Sequence, residues 1–148
     1  MGTSGYMLDT TEFNAVAKGA IPLSIYTGLR VFATHVQLDE LNRTTDAQTR
    51  ARLVAAFEAI GPTKLLSETA AWDVGKWDEA KWSAEDGLFQ KMLARLIELD
   101  GKDRGLNQRR DILIAETAIK NGLTLLSGDE RLRMLTEEFG GQAATPLR

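Results

Sequence analysis

Short apolar segments alternate along this chain with longer segments whose apolar residues recur at helical spacing, and this alternation constrains the fold more than any other feature. Tyr6–Asp9, Leu29–Val36 and Leu123–Ser127 are rich in aliphatic, aromatic or β-branched residues, so they predict strands. Strands that alternate with amphipathic helices build βαβ units, whose strands run parallel. The sequence therefore predicts an α/β fold with three layers (α/β/α) around a central, mostly parallel sheet of about four or five strands.

The segment 109–122 gives the strongest prediction of a helix, because its apolar residues share one face. Asn107 is a plausible cap for this helix and Gly122 would end it, which places Asp111 in the first turn. Further helices are predicted over residues 10–19, 38–43, 45–61, 88–101 and 128–141, and further strands over residues 63–69 and 144–147.

The chain has 148 residues, a length typical of one domain. We assign residues 6–148 to that domain and interpret residues 1–5 as a flexible or expression-derived lead-in. No apolar run approaches the roughly 20 residues that a membrane span requires, and no export signal opens the chain. The formal charge of −3 argues against a broad basic surface, and the absence of cysteine fits a reducing compartment. These features predict a cytoplasmic protein without membrane association.

Four acidic residues are predicted to lie at one edge of the sheet. Asp9 directly follows the first strand, Glu40 lies in the first turn after the second, and Asp129 follows the strand that ends at Ser127. Asp111 would lie at the start of a helix that runs antiparallel to the strand it feeds. The carboxyl ends of parallel strands and the starts of their helices meet at one edge, where ligands bind. Each acid alone could instead serve only as a helix cap.

Four carboxylates in one place would repel each other and raise one another's pKa values, so such a cluster needs a cation. Oxygen ligands, with no cysteine and a single histidine in the chain, favour Mg²⁺ or Mn²⁺ over zinc. A cluster of this kind can hold one or two ions that bind a phosphate and activate a water. The sequence therefore predicts a divalent metal centre that acts on phosphate.

Three segments together resemble the PIN domain, in particular the small VapC-like ribonucleases of bacterial toxin–antitoxin pairs: YMLDTTEF, ATHVQLDEL and RRDILIAETAIKNGLTLLSGDERL. The last segment carries the most specific likeness, because it has an acid, a helix, a strand and a final acid in the family's order. The resemblance implies a PIN-like fold whose metal-binding and catalytic acids are Asp9, Glu40, Asp111 and Asp129. Ser127 falls where the family often has a Thr or Ser near the metal.

The resemblance also implies an activity and partners. The protein would be a Mg²⁺- or Mn²⁺-dependent endoribonuclease that hydrolyses RNA phosphodiester bonds with metal-activated water. As the toxin of a type II toxin–antitoxin pair, it would be inhibited by a small antitoxin protein whose basic segment could fill the acidic pocket. Homodimers are common in this family, which implies a possible dimer here.

Hydroxyl and amide side chains near Asp9 have two interpretations. Thr10, Thr11 and Asn14 could orient the Asp9 carboxylate by hydrogen bonding, or they could cap the helix that follows. Asn14 is the stronger candidate for the first role, because it lies one helical turn along from Asp9 or Thr10.

Charged residues near Asp111 also have two interpretations. Arg104, Arg109 and Arg110 could contact RNA phosphates, or they could form salt bridges in a solvated loop. Glu116 could be a fifth, outer acid, although a solvated or salt-bridged role is favoured because it lies about 140° around the helix from Asp111. His35, the single histidine, is better explained as a structural residue than as a catalytic base.

Three tryptophans, Trp72, Trp77 and Trp82, recur every five residues, which matches neither a helix face nor a strand face. Separate packing against the core is favoured, and a partner or dimer surface is the alternative.

Other classes of phosphate-handling α/β protein fit less well. A haloacid-dehalogenase-like phosphatase needs a second Asp where this chain has Thr11, a response-regulator receiver needs an acidic pair after its first strand, and the P-loop pattern is absent. The alternatives that stay open are a non-catalytic interaction module with a PIN-like fold and a metal-dependent nuclease with a role other than a toxin.

Overall fold

A parallel sheet lies at the centre of the molecule, which is described by a computed structural model over residues 5–65 and 87–145. Its strands are β1 (Tyr6–Leu8), β2 (Val31–Thr34), β3 (Thr63–Leu65), β4 (Thr124–Leu126) and β5 (Gln142–Ala144). The spatial order is β3-β2-β1-β4-β5, and every neighbouring pair is parallel. The predicted α/β fold is confirmed, and its sheet of five strands is entirely parallel within these residues.

Helices cover both faces of this sheet, and the described residues form α1 (Thr10–Ala17), α2 (His35–Asn42), α3 (Ala47–Ile60), α4 (Leu88–Asp100), α5 (Leu106–Lys120) and α6 (Glu130–Glu138). Successive strand residues point to opposite faces and so supply two cores. Met7 of β1 and Leu125 of β4 join α4, α5 and α6 in one core, whereas Leu8 and Leu126 join α1 and α3 in the other. The three predicted layers follow from this alternation.

The second strand is shorter than the predicted Leu29–Val36, because Thr34 ends β2 and caps α2. Thr34 Oγ1 accepts a hydrogen bond from the Val36 N–H at 3.0 Å, and the Gln37 side chain accepts one from the Thr34 N–H at 2.8 Å. This reciprocal capping box starts the helix at once. The Gln37 amide also donates to the Leu8 carbonyl at 2.9 Å, which holds α2 against the end of β1.

Helix α5 starts earlier than predicted, and this corrects the placement of one candidate site residue. Its first residue is Leu106, so Asn107 is not its cap and Asp111 lies in the second turn rather than the first. The cause is Gln108, which is fully buried. Its side-chain oxygen accepts a hydrogen bond from the Arg104 N–H, and its amide nitrogen donates to the Lys102 carbonyl and the Asp100 carboxylate. These tertiary bonds extend the helix by a turn that the apolar pattern does not indicate.

The last strand also begins earlier than the predicted Ala144–Leu147, since β5 spans Gln142–Ala144 and residues 146–148 lie outside the described residues. Gly141, the residue before this strand, packs closely against side chains of α5 and α6. A Cβ at this position would lie 2.6 Å from Cγ1 of Ile119 and 2.9 Å from Cγ2 of Thr136. Only glycine fits there without moving its neighbours.

Because all five strands are parallel, their carboxyl ends lie at one edge of the sheet. The residues that follow β1, β2 and β4 are therefore brought together, as expected for ligand sites in such folds. In the described ranges, none of the helices combines the length and hydropathy of a transmembrane segment.

Candidate metal centre

Asp9 follows β1 directly and stands at the N-cap position of α1, yet its side chain makes no capping hydrogen bond. Its Oδ2 atom instead accepts hydrogen bonds from Ser127 Oγ at 2.8 Å and from Thr11 Oγ1 at 3.0 Å. The Ser127 and Thr11 hydroxyls accept in turn from the N–H groups of Asp129 and Gly128, each at 3.0 Å. The segment after β4 thus fixes a carboxylate that is only 3% exposed.

Glu40 lies in the second turn of α2 rather than in the first turn after the strand, because α2 begins at His35 directly after β2. Its Oε1 atom accepts a hydrogen bond from Thr10 Oγ1 at 2.7 Å, which ties α2 to the first residue of α1. The Thr10 side chain therefore orients Glu40, whereas only the backbone of Thr10 interacts with the Asp9 carboxylate. Asn14 donates to the Thr10 carbonyl at 3.2 Å, a bond within α1, so it supports the Thr10 position and not the Asp9 carboxylate.

Asp129 is exposed and caps α6, since its Oδ1 atom accepts hydrogen bonds from the N–H groups of Arg131 and Leu132 at 3.0 and 3.2 Å. Asp111 lies on α5, half-buried, and the two side chains form part of one cavity wall. The capping interpretation therefore holds for Asp129, whereas it explains neither the Asp9 side chain nor the position of Asp111 in a second turn.

Electrostatics connect the four carboxylates. Burial raises the pKa of Asp111 well above its ordinary value, and the negative charges of Asp9, Glu40 and Asp129 raise it further. Burial also raises the pKa values of Asp9 and Glu40, although hydrogen bonds from hydroxyl groups oppose both shifts. The negative charge of Asp129 raises the pKa of Asp9 further, and the negative charge of Asp9 raises that of Glu40. The charges of three acids from separate segments therefore act on Asp111.

The described part of the chain holds no three His, Cys, Asp or Glu side chains arranged to bind one metal ion. The chemistry of the donor set nevertheless fits Mg²⁺ or Mn²⁺, because it consists of carboxylate oxygens whose mutual repulsion a divalent cation would relieve. Coordination would require side-chain rotations, for which the exposed Asp129 has room and the hydrogen-bonded Asp9 has little. Asp9 is thus the fixed member of the set.

Arg104 and Arg109 are both engaged in ion pairs with acids of the α4–α5 loop region. Arg104 Nη2 lies 3.1 Å from Asp100 Oδ2, and two nitrogens of Arg109 lie 2.9 and 3.1 Å from the two carboxylate oxygens of Asp103. The hydrogen bonds from Arg109 lower the pKa of Asp103 to about 2. Arg104 remains half-exposed and its charge acts on Asp111, so it is the better placed of the two for a ligand at the site.

Arg110 has a different environment from the other two. Its side chain is only 7% exposed, its Nη2 atom lies 3.8 Å from Asp39 Oδ2, and its Nε and Nη2 atoms form no hydrogen bond within the described structure. The Arg110 charge lowers the pKa of Glu40 against the effect of burial. A buried guanidinium beside two acids of α2 serves to balance their charge, and it is poorly placed to reach an RNA backbone.

The remaining candidates lie apart from the cluster or outside the described residues. Glu116 is buried and its Oε2 atom lies 3.3 Å from Lys120 Nζ, so the salt-bridged interpretation is confirmed. His35 is the first residue of α2, and burial lowers its pKa, although Asp39 opposes the shift. Trp72, Trp77 and Trp82 fall outside the described residues.

Sequence reasoning did not single out Asp100, which organises the wall beside the carboxylates. Its side chain is 4% exposed and binds Arg104, Gln108 and Arg131. Burial works to raise the pKa of Asp100, but these hydrogen bonds and charges lower it. A signal existed in the sequence: an acid at the last residue of a helix opposes the helix dipole, so it needs nearby cations.

No model of a known protein family matches the chain, and no curated protein sequence matches it. A functional assignment therefore depends on the geometry of the carboxylate cluster and on the likeness of the three sequence segments quoted above.

Proposed function

We propose that the protein is a divalent-metal-dependent endoribonuclease with a PIN-like domain, which hydrolyses phosphodiester bonds in RNA. The observation that carries the proposal is geometric: Asp111 and Asp129 line one cavity, and the Ser127 hydroxyl joins the Asp9 carboxylate to the Asp129 backbone. Thr10 joins Glu40 to the residue that follows Asp9. These four residues would hold Mg²⁺ or Mn²⁺. The resemblance of the segments around them to VapC-like ribonucleases supports RNA as the substrate.

Each part of the site has a task in this reaction. Ser127 and Thr11 keep the Asp9 carboxylate in one orientation, and Thr10 keeps Glu40 beside it. A bound divalent cation would offset the negative charge of the phosphate, lower the pKa of the attacking water and stabilise the leaving oxygen. One of the four carboxylates accepts the proton that the attacking water loses.

A cleavage assay with labelled single-stranded RNA tests the proposal. We expect cleavage with Mg²⁺ or Mn²⁺, none with excess chelator, and none from Asp9→Asn or Asp111→Asn, because an amide keeps the shape but loses the charge that binds the ion. Asp46→Asn is the matched control, since Asp46 caps α3, none of the four acids acts on its pKa, and Asn caps equally well. Cleavage by the Asp9 and Asp111 variants at the parental rate would refute the assignment.

We further propose that this activity makes the protein the cytoplasmic toxin of a toxin–antitoxin pair, restrained by a small antitoxin. Expression of the parent chain in a bacterium should then stop growth, whereas expression of Asp9→Asn should not. Co-expression of a small protein encoded by the adjacent reading frame should restore growth. Equal growth with parent and variant would remove the toxin role and leave the nuclease proposal to the cleavage assay.

One observation favours a second candidate, a non-catalytic module with the same fold. The described side chains form no ready group of three metal ligands, as an interaction module would allow. Titration with Mn²⁺ separates the two proposals, because the module predicts no binding that depends on Asp9 or Asp111.

A further inference from the structure

An open cavity of about 480 Å³ adjoins the carboxylate cluster, between α4, the start of α5 and α6. Its lining includes the acids Asp111 and Asp129 and the apolar side chains Leu96, Leu99 and Met134. The volume lies in the range of small-molecule sites, roughly 300–1,000 Å³. We call this space the α4–α6 cavity.

Two arginines on the α4–α6 cavity are held in place by one buried acid. Asp100 binds Arg104 through Oδ2 at 3.1 Å and Arg131 through Oδ1, and Gln108 donates to its Oδ2 at 2.8 Å. Two guanidinium groups therefore share a single carboxylate, so the three side chains carry a net charge of +1. Asp111, Asp129 and Glu130 also line the cavity, and the first two would be offset by the proposed cation. The Asp100 side chain is 4% exposed, whereas those of Arg104 and Arg131 are 48% and 50% exposed.

These arginines keep donors for a ligand. A guanidinium has five N–H donors, and Asp100 engages only the Nε and Nη2 atoms of Arg104 and the Nη1 atom of Arg131. Such forks suit phosphate oxygens, which they bind in pairs. The positive charge of Arg104 lowers the pKa of Asp111, and the Arg131 backbone N–H donates a hydrogen bond to Asp129 Oδ1. A phosphate bound by the two arginines would thus lie next to the proposed metal ligands.

The apolar part of the cavity suits a flat, uncharged group. Met134 is 49% exposed, one of two large apolar side chains in the described structure with this degree of exposure. The other, Leu23, lies in the 3₁₀ turn before β2, away from the cavity. A thioether makes favourable contacts with aromatic rings, and Met134 lies three residues after Arg131 on α6, so a base attached to a phosphate on Arg131 could reach it.

We propose that the α4–α6 cavity is the binding subsite for a nucleotide of single-stranded RNA that neighbours the scissile bond, with Arg104 and Arg131 on its phosphate and Met134 on its base. This inference rests on the proposed nuclease function and names how that site takes its substrate. Asp100 is a positioning residue, because it acts only through the two arginines.

The test measures RNA affinity in the Asp9→Asn background, which should not cleave, using a short fluorescein-labelled single-stranded RNA of mixed sequence and fluorescence anisotropy. Arg104→Gln and Arg131→Gln should each weaken binding about tenfold, as expected for one charge-assisted contact. Each should also reduce by about 1 the slope of log Kd against log salt. Met134→Gln should weaken binding about threefold with an unchanged slope, because it removes an apolar contact and no charge.

Matched controls exist on the same molecule. Arg95→Gln removes an arginine of α4 that also pairs with acids, Glu98 and Glu138, but borders a different cavity, and Leu23→Gln removes the other exposed apolar side chain. Both should bind RNA as the background protein does. Circular dichroism of each variant verifies that the fold is kept.

Three results would overturn the subsite. Unchanged affinity in both arginine variants, while the parent chain cleaves RNA, would refute it and leave the nuclease function standing. Equal losses in Arg95→Gln would show that the effect is general charge. Displacement of the RNA by polyglutamate at matched charge concentration would show an acidic-peptide site instead of a nucleotide site. Failure of the parent chain to cleave RNA would refute the proposed function separately.

Discussion

Ser127→Ala should weaken the protein's affinity for Mn²⁺ and lower its stability at the same time. The Ser127 side chain is fully buried, its hydroxyl donates to Asp9 Oδ2 at 2.8 Å, and the same oxygen accepts from the Asp129 N–H at 3.0 Å. The substitution removes both bonds and leaves the Asp9 carboxylate held mainly by Thr11. Asp9 then gains rotational freedom that metal binding must take away.

The magnitude follows from the two bonds. A hydrogen bond to a charged group contributes about 1.5–3 kcal/mol and one to a neutral group about 0.5–1.5 kcal/mol. Because Thr11 still donates to Asp9, we expect a loss near the lower end, about 2–3 kcal/mol in the free energy of unfolding. For a domain of this size, that lowers Tm by roughly 5–10 °C. Loss of a group that orients a ligand lowers metal affinity about 10- to 100-fold.

Urea denaturation of the metal-free protein measures the first effect, and calorimetric titration with Mn²⁺ measures the second. Thr136→Val is the matched control, because the Thr136 hydroxyl is equally buried but donates only to the Leu132 carbonyl within its own helix. It should leave Mn²⁺ affinity unchanged. A Ser127→Ala protein that loses stability but binds Mn²⁺ as tightly as the parent would refute the role given to Ser127.

Three further predictions use stability alone. Asp111→Asn should raise the midpoint of urea unfolding of the metal-free protein at neutral pH, because it removes a charge that burial and three other acids disfavour. The raised pKa values of Asp9, Glu40 and Asp111 mean that the folded state binds more protons than the unfolded state as pH falls from neutrality toward 4. These three groups therefore add stability as pH falls over this window, while the lowered pKa values of His35, Asp100 and Asp103 act in the opposite direction. Asp111→Asn should gain less stability than the parent over the window, and an equal or larger gain would contradict the repulsion. Gly141→Ala should destabilise by about 1–3 kcal/mol through overpacking, whereas Gly128→Ala, where a Cβ would meet only ordinary contacts from 3.7 Å, should cost less, and denaturant melts compare the two.

The layers of the fold were predictable because they depend on patterns within short segments. The alternation of Met7 and Leu8 between two cores is visible in an apolar strand flanked by amphipathic helices. The boundaries of β2 and α5 were predicted less well. The end of β2 is set by the Thr34–Gln37 capping box, a local pattern hidden inside a β-branched run, whereas the start of α5 is set by the bonds of Gln108 to residues before the helix. Polar residues that are buried by tertiary hydrogen bonds look like loop residues in the sequence.

The same contrast applies to the site. The parallel sheet brings the segments after β1, β2 and β4 to one edge, as predicted, because topology alone places them there. The sharing of one cation by Asp9, Glu40, Asp111 and Asp129 stays a prediction. The hydrogen-bond partners of each acid were not predictable. The Thr10 hydroxyl was expected to orient Asp9, but it donates to Glu40. Which hydroxyl meets which carboxylate depends on rotamers and helix orientation, and these are set by packing.

Calorimetric titration of the parent chain with Mn²⁺, alongside Asp9→Asn, Asp111→Asn and the control Asp46→Asn, tests the shared metal site most directly. We expect the parent and Asp46→Asn to bind Mn²⁺ with the same affinity, and the other two variants to lose the binding together. An Asp111→Asn protein that binds Mn²⁺ as the parent does, or a parent that binds none, would contradict the claim that these carboxylates hold a common cation.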